Sequence, residues 1–303
     1  MSSVSKTDVN THNTLYYVQN VAAIGAGALV SVKGKNFIKI DFSKFAEQNN
    51  KIQVNGIQEI INKALKNSTL EEKGVKVVDF NGRELYDIDQ IKLSQKEQLK
   101  QKRSESKGIY KIIHTIKLRN RQKKYIIGYN RDNLIISGKN ACFRCLSNEV
   151  GINLKKLPLV VFHEIGHAMN FHNSKFWRGI AYSRMISLKM PLLLGLTAVI
   201  IPPKKNEEQP KNVLEKTSYF IKKHVGELIF LSQLPIIAEE IKASYNGAKL
   251  AKPLLNSELY KATQKNHRIG AISYITYSLI YSLIGVAGSK IRDIITLHDF
   301  SKK

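Results

Sequence analysis

The stretch that decides the reading runs from Val160 to Asn170, V-V-F-H-E-I-G-H-A-M-N, in a chain of 303 residues. His163 and His167 stand four residues apart, and Glu164 directly follows the first. On an α-helix four residues turn through about 400°, so both imidazoles project from one face, a turn apart. Two neutral imidazoles so placed can grip one tetrahedral zinc ion. Glu164 then lies beside the open coordination position, where a carboxylate can take a proton from water and hand it to a leaving amine. The flanks suit a helix. Pro158 fits a helix start, Leu159 to Phe162 make a buried strip leading in, and Gly166 leaves room on the metal side.

Two histidines do not fill a catalytic zinc shell, so a third ligand is needed from elsewhere. His172 is near, but the extended metzincin pattern wants Gly and His where this chain has Asn170 and Asn173. Five residues beyond His167, it also points to another side of a continuing helix. The later acids include Glu215, Glu227, Glu239, Glu240 and Glu258. Glu227 follows His224 by three residues, a pair that could also meet a metal. Glu240 is the expected ligand, because it opens E-x-x-A-S with the small Ala243 and Ser244 following. Glu239 points about 100° away on the same helix and is the fallback. The expected site is therefore one zinc per chain on His163, His167 and Glu240, with Glu164 as base and then acid. Tyr274, His267 and His224 are unranked candidates for stabilising an oxyanion or supporting the ligands.

The rest of the chain sets the surroundings. Lys and Arg number 48 against 24 acids, a formal charge of +24. The excess is scattered lysine without an Arg-rich or aromatic-interleaved motif, so protein or peptide substrate and membrane lipid are the expected partners and nucleic acid is not. Two cysteines cannot build a disulfide framework. Cys142 and Cys145, a lone C-x-x-C without further ligands nearby, read as small half-buried residues at a strand end. Four segments are strongly apolar, near 14–32, 185–203, 219–238 and 269–288, and the last has about 20 residues without a charge. The last three, flanked by Lys and Arg, are expected to be membrane helices, and the first an anchor or a packing helix. Between them, residues 57–67 have helical periodicity. V-K-V-V-D-F-N-G-R-E-L-Y-D-I reads as two strands about Asn81-Gly82, and the stretch 110–129 as a second hairpin with a basic loop. The expected organisation is an N-terminal tail with a possible anchor (1–35), a small α+β region (36–156), and a zinc metallopeptidase domain (157–303).

The HExxH helix, the membrane hairpin and the returning E-x-x-A-S after Leu234-Pro235 together resemble the YugP-like neutral zinc metallopeptidases of bacterial membranes. They are more distantly similar to HtpX and CAAX-prenyl endopeptidases. The likeness covers roughly residues 156–288, including the apolar helix around Ser273-Tyr274. The chain departs from the pattern in having Ile236, Ile237 and Ala238 between Leu-Pro and the glutamates, and Lys242 where that family has an acid. The resemblance implies a mainly α protein with a small α+β N-terminal portion and a gluzincin-type, membrane-embedded helical domain. It also implies an endopeptidase in the bacterial inner membrane with its site facing the cytoplasm. Two other classes remain open at this stage. One is a soluble secreted zinc peptidase or effector whose apolar segments are core helices. The other is a basic nucleic-acid- or lipid-binding protein in which the HExxH is incidental.

Overall fold

The computed structural model describes residues 6–33, 54–105, 108–202 and 212–297, with side chains from residue 19 onward in the first stretch. Residues 34–53 of the polar region, and residues 203–211, lie outside the described residues. The described residues are mostly helical with one small sheet, in line with the mainly α expectation. The first half holds α1 (Lys6–Lys33), α2 (Ile57–Asn67), β1 (Lys76–Asp79), α3 (Ile88–Glu105), α4 (Gly108–Ile136), β2 (Cys142–Arg144) and β3 (Glu149–Ile152). The second holds α5 (Val161–Asn173), α6 (Lys175–Ser187), α7 (Met190–Ile200), α8 (Val213–Lys223), α9 (Val225–Ala251) and α10 (Ser257–Leu297).

Two compact units emerge, and they do not follow the linear division at residues 36 and 157. One comprises Ser43–Ser174 with Lys242–Ile269, and the other Met1–Phe42 with Lys175–Ile241 and Gly270–Lys303. In the first unit the HExxH helix belongs with the polar region before it. The sheet has the order β1-β3-β2, with β1 parallel and β2 antiparallel to β3. Parallel pairing of β1 and β3 needs a long crossover, which α3 and α4 supply. Val150 and Ile152 of β3 are fully buried against Ile61 of α2, Phe162 and Ile165 of α5, and Ala251 of α9. In α2 the buried Ile61, Ala64 and Leu65 follow the i, i+3, i+4 spacing of one helix face.

Both predicted hairpins are corrected. Val77 and Val78 are strand, and a turn follows at Asn81-Gly82, where Asn81 N–H donates to Asp79 Oδ1 (2.9 Å) and Gly82 has φ +76°. No strand follows the turn, because β1 finds its partner in β3, which is buried from Val150 to Ile152, instead. The stretch 110–129 is the middle of helix α4. It holds no Pro or Asn-Gly turn, and its Lys, Arg and Gln residues are good helix formers.

In the second unit small residues let helices approach closely. A Cβ on Gly27 of α1 would stand 2.6 Å from the Gly288 carbonyl oxygen of α10. Ala198, Val225 and Ile229 form a separate buried cluster. Among the described residues one helix, α10, is long and apolar enough to cross a membrane. The tally becomes two if α6 and α7, bent by 43° at their junction, count as one broken span. This revises the expectation of three membrane helices. Segment 185–203 loses its first residues to α6, and α7 alone has 11 residues. Segment 219–238 is broken at His224 between α8 and α9.

Candidate metal centre

The site is built on α5. A 3-10 turn, Pro158–Val160, leads into the helix, and Leu159, Val161 and Phe162 are fully buried, as the apolar strip predicts. These residues fix the helix by its apolar side and leave the other side to His163 and His167. The two Nε2 atoms converge to 3.0 Å with their rings edge to face. Two imidazole nitrogens bound to one tetrahedral ion at about 2.0–2.1 Å each stand roughly 3.3 Å apart, so this spacing suits a shared metal.

What holds His163 in that pose comes from α9. Gly166 does not simply leave room for a metal: a Cβ there would fall 2.1 Å from the Ala243 carbonyl oxygen. One added at Gly247 would fall 2.3 Å from the Phe162 carbonyl oxygen. The two backbones therefore cross in contact at reciprocal glycines. That crossing brings Ser244 Oγ to 3.2 Å from His163 Nδ1. The hydroxyl can accept the Nδ1–H, which leaves Nε2 as the bare ligand nitrogen. His167 is buried on the same face, and Asn246 Nδ2 donates to Asn170 Oδ1 (2.7 Å) across the same crossing.

Glu164 is buried and oriented. Its Oε2 accepts a hydrogen bond from the backbone N–H of Phe143 in β2 (2.8 Å), so its other oxygen is the one available to a reactant. His163, Glu164 and His167 each bring a potential ligand atom within 4.8 Å of the others, a His/Glu group able to hold a metal ion. His172 turns aside to Asn148 (3.1 Å) and packs beside Phe143 and Phe171.

His267 of α10 lies beside the pair, its ring centroid 5.5 Å from that of His163. Its Nδ1 faces the Ser244 carbonyl oxygen at 3.0 Å and must donate there, since a carbonyl only accepts. Nε2 is thereby a lone pair, buried and without a hydrogen-bond partner among the described residues. A buried lone pair costs free energy unless something meets it, and a cation or a polar reactant in the site would. In the neutral ring this nitrogen accepts and does not donate, so it does not fit the oxyanion-donor role considered for it.

Glu239 and Glu240 are both almost completely buried on α9. Arg184 of α6 clamps them, with Nη1 on Glu239 Oε2 and Nη2 on Glu240 Oε1 (2.6 Å). Glu240 stands one turn before Ser244 and two before Gly247 along the same helix. Tyr274 follows His267 by two turns on one face of α10. His224 caps the C-terminal end of α8, directly before α9, and its Nδ1 lies 3.7 Å from Glu227 Oε1.

Cys142 and Cys145 are free and half-buried, with Cys142 in β2, in line with the sequence reading. Burial, followed by the Glu164 charge, raises the Cys142 thiol above its usual range, which disfavours the thiolate that metal binding or redox chemistry needs. Sequence reasoning missed the Phe143 N–H and the Arg184 clamp. Neither had a local signal, since one is backbone and the other lies 55 residues from Glu239.

No protein-family model matches this chain, and no curated protein or solved structure matches it either.

Proposed function

We propose that the chain is a zinc-dependent membrane endopeptidase with His163, His167 and Glu240 as metal ligands and Glu164 as the general base and acid. The observation that carries this reading is the convergence of two imidazole Nε2 atoms at 3.0 Å beside an oriented, buried carboxylate. A non-catalytic metal site would have no use for Glu164 in that place. The donor set of two imidazoles and a carboxylate fits zinc, and an unpartnered imidazole nitrogen nearby fits a site that holds a charged or polar guest. Zinc, when bound, supplies Lewis-acid polarisation of the scissile carbonyl and lowers the pKa of a water.

The chain's own residues do the rest. The Phe143 N–H fixes Glu164 through Oε2, and the other oxygen takes the proton of the attacking water and returns it to the leaving nitrogen. Ser244 holds the His163 ring. Arg184 bridges Glu239 and Glu240 and sets a cation between the two buried carboxyl groups. Placement in a membrane is supported by α10, which has the length and apolarity of a span. The likeness of residues 156–288 to YugP-like metallopeptidases supports the same reading.

Metal analysis of the purified protein tests it. The wild type should carry one zinc per chain, Glu240→Ala should lose it, and Glu164→Gln should keep it while losing peptide hydrolysis. A Glu240→Ala protein with full zinc would move the ligand elsewhere, and hydrolysis by Glu164→Gln would remove Glu164 from the base role.

A further inference from the structure

Helices α3 and α4 form an antiparallel arm of the first unit that has almost no core of its own. No residue of α3 is buried, and in α4 only Ile135 and Ile136 are, both at its C-terminal end. The helices are tied to each other and to their base by polar contacts. Gln122 Nε2 donates to the Gln95 carbonyl (2.6 Å), the Tyr86 N–H donates to Asn133 Oδ1 (2.8 Å), and Asn133 Nδ2 donates to the Tyr86 carbonyl (2.9 Å).

The opposite end, where α4 begins, is apolar on one side. Ile109, Ile112, Ile113 and Ile116 are spaced i, i+3, i+4, i+7 and are 68, 62, 42 and 54 % exposed. On a helix that spacing is a single stripe, and a stripe of this kind ordinarily faces a core. Among the described residues none covers it. The same stretch is strongly basic: α4 carries seven Lys and Arg against one acid, Asp132, which is engaged by Arg144. Continuing along the stripe's own face, the isoleucines give way to Lys123 and Lys124, with Lys117 and Arg119 at its margins.

We propose that the start of α4 is a docking surface for an anionic lipid interface. The four isoleucines enter the acyl boundary, and Lys117, Arg119, Lys123 and Lys124 meet the phosphates of the headgroups. The pairing of chemistry selects this occupant. Nucleic acid would engage the cations and leave the aliphatic stripe in water, since its recognition uses phosphate contacts and base stacking on aromatic rings. A second copy of this chain would bring the same positive charge against itself. A lipid surface of negative charge satisfies both halves, with long basic side chains reaching past the apolar stripe to the phosphates. The proposal is independent of the zinc reading, because it uses no residue of the metal centre.

The test uses the full chain with Cys142→Ser and Cys145→Ser, reconstituted in vesicles whose acyl chains are brominated. A fluorophore is attached at Ile112→Cys or, on the other face of the same turn, at His114→Cys. In vesicles rich in phosphatidylglycerol the label at 112 should be quenched several-fold more than in phosphatidylcholine alone, and the label at 114 should not respond. Reversing Lys117, Lys123 and Lys124 to Glu should return the 112 label to its phosphatidylcholine level with helicity unchanged. Raised salt should weaken the response. An unquenched 112 label in anionic vesicles overturns the proposal, as does equal quenching at both positions or in both lipids. A label that responds to added poly(U) RNA and not to lipid also overturns it, in favour of a nucleic-acid partner.

Discussion

Replacing Gly166 by alanine should dismantle the candidate metal centre without touching a proposed ligand. The added methyl would sit 2.1 Å from the Ala243 carbonyl oxygen, roughly 1 Å inside the closest tolerable approach of two non-bonded atoms. Backbone cannot rotate out of the way as a flexible side chain can, so α5 and the crossing turn of α9 must part by about that amount. Overpacking of this kind costs about 1–3 kcal/mol of stability. The 3.2 Å contact between Ser244 Oγ and His163 Nδ1 does not survive such a displacement, and losing a second-layer partner of a ligand histidine typically lowers metal affinity about 10–100-fold. Zinc affinity by competition with a chromophoric chelator, read beside thermal unfolding, measures both effects. Ala243→Gly should not rescue the variant, since the obstacle is a main-chain oxygen. Gly179→Ala in α6, with open space around its Cβ, serves as the helix control and should be neutral or stabilising by up to about 1 kcal/mol. Wild-type zinc affinity and turnover in Gly166→Ala would show that the glycine crossing does not hold His163, and the reasoning would fail at its root.

Other consequences can be measured on the same preparations. Glu164→Gln preserves an oxygen for the Phe143 N–H, so zinc content and thermal stability should hold while hydrolysis falls by at least about 10²–10⁴-fold in a peptide-cleavage assay. Ser244→Ala should weaken zinc binding about 10–100-fold with little loss of fold, as chelator competition would reveal. Arg184→Met leaves Glu239 and Glu240 buried without their shared cation and should destabilise the apo protein by about 3–5 kcal/mol in denaturant melts. Because burial raises the Cys142 thiol, less thiolate is present at a given pH than in a free cysteine, and alkylation by iodoacetamide at pH 8 should be correspondingly slower by mass spectrometry.

The convergence of His163 and His167 beside Glu164 was legible because it is local. A four-residue interval on a helix sets the direction of two side chains whatever the rest of the chain does, and the apolar strip from Leu159 to Phe162 shows which side is buried. The mainly helical class and the length of α10 were legible for the same reason, since periodicity and hydropathy are properties of consecutive residues. Local reading failed where partners compete at a distance. Val77 and Val78 were predicted to pair across the adjacent Asn81-Gly82 turn, but they pair with β3, more than 70 residues on, because Val150 and Ile152 offer a buried neighbour. The stretch 110–129 carries enough Ile and Tyr to read as strand, but nothing in it can make the turn.

The sequence by itself determined which side chains could share a metal, His163 and His167, and which residue could move a proton beside them, because helix geometry converts spacing into direction. Only the tertiary structure decided how those rings are held. The reciprocal contacts of Gly166 with Ala243 and of Gly247 with Phe162 set Ser244 against His163, and the Phe143 N–H and the Arg184 clamp orient the carboxylates. Such contacts depend on how closely two segments far apart in the chain can approach, and that is a matter of packed volumes in space, which no local pattern of residues encodes.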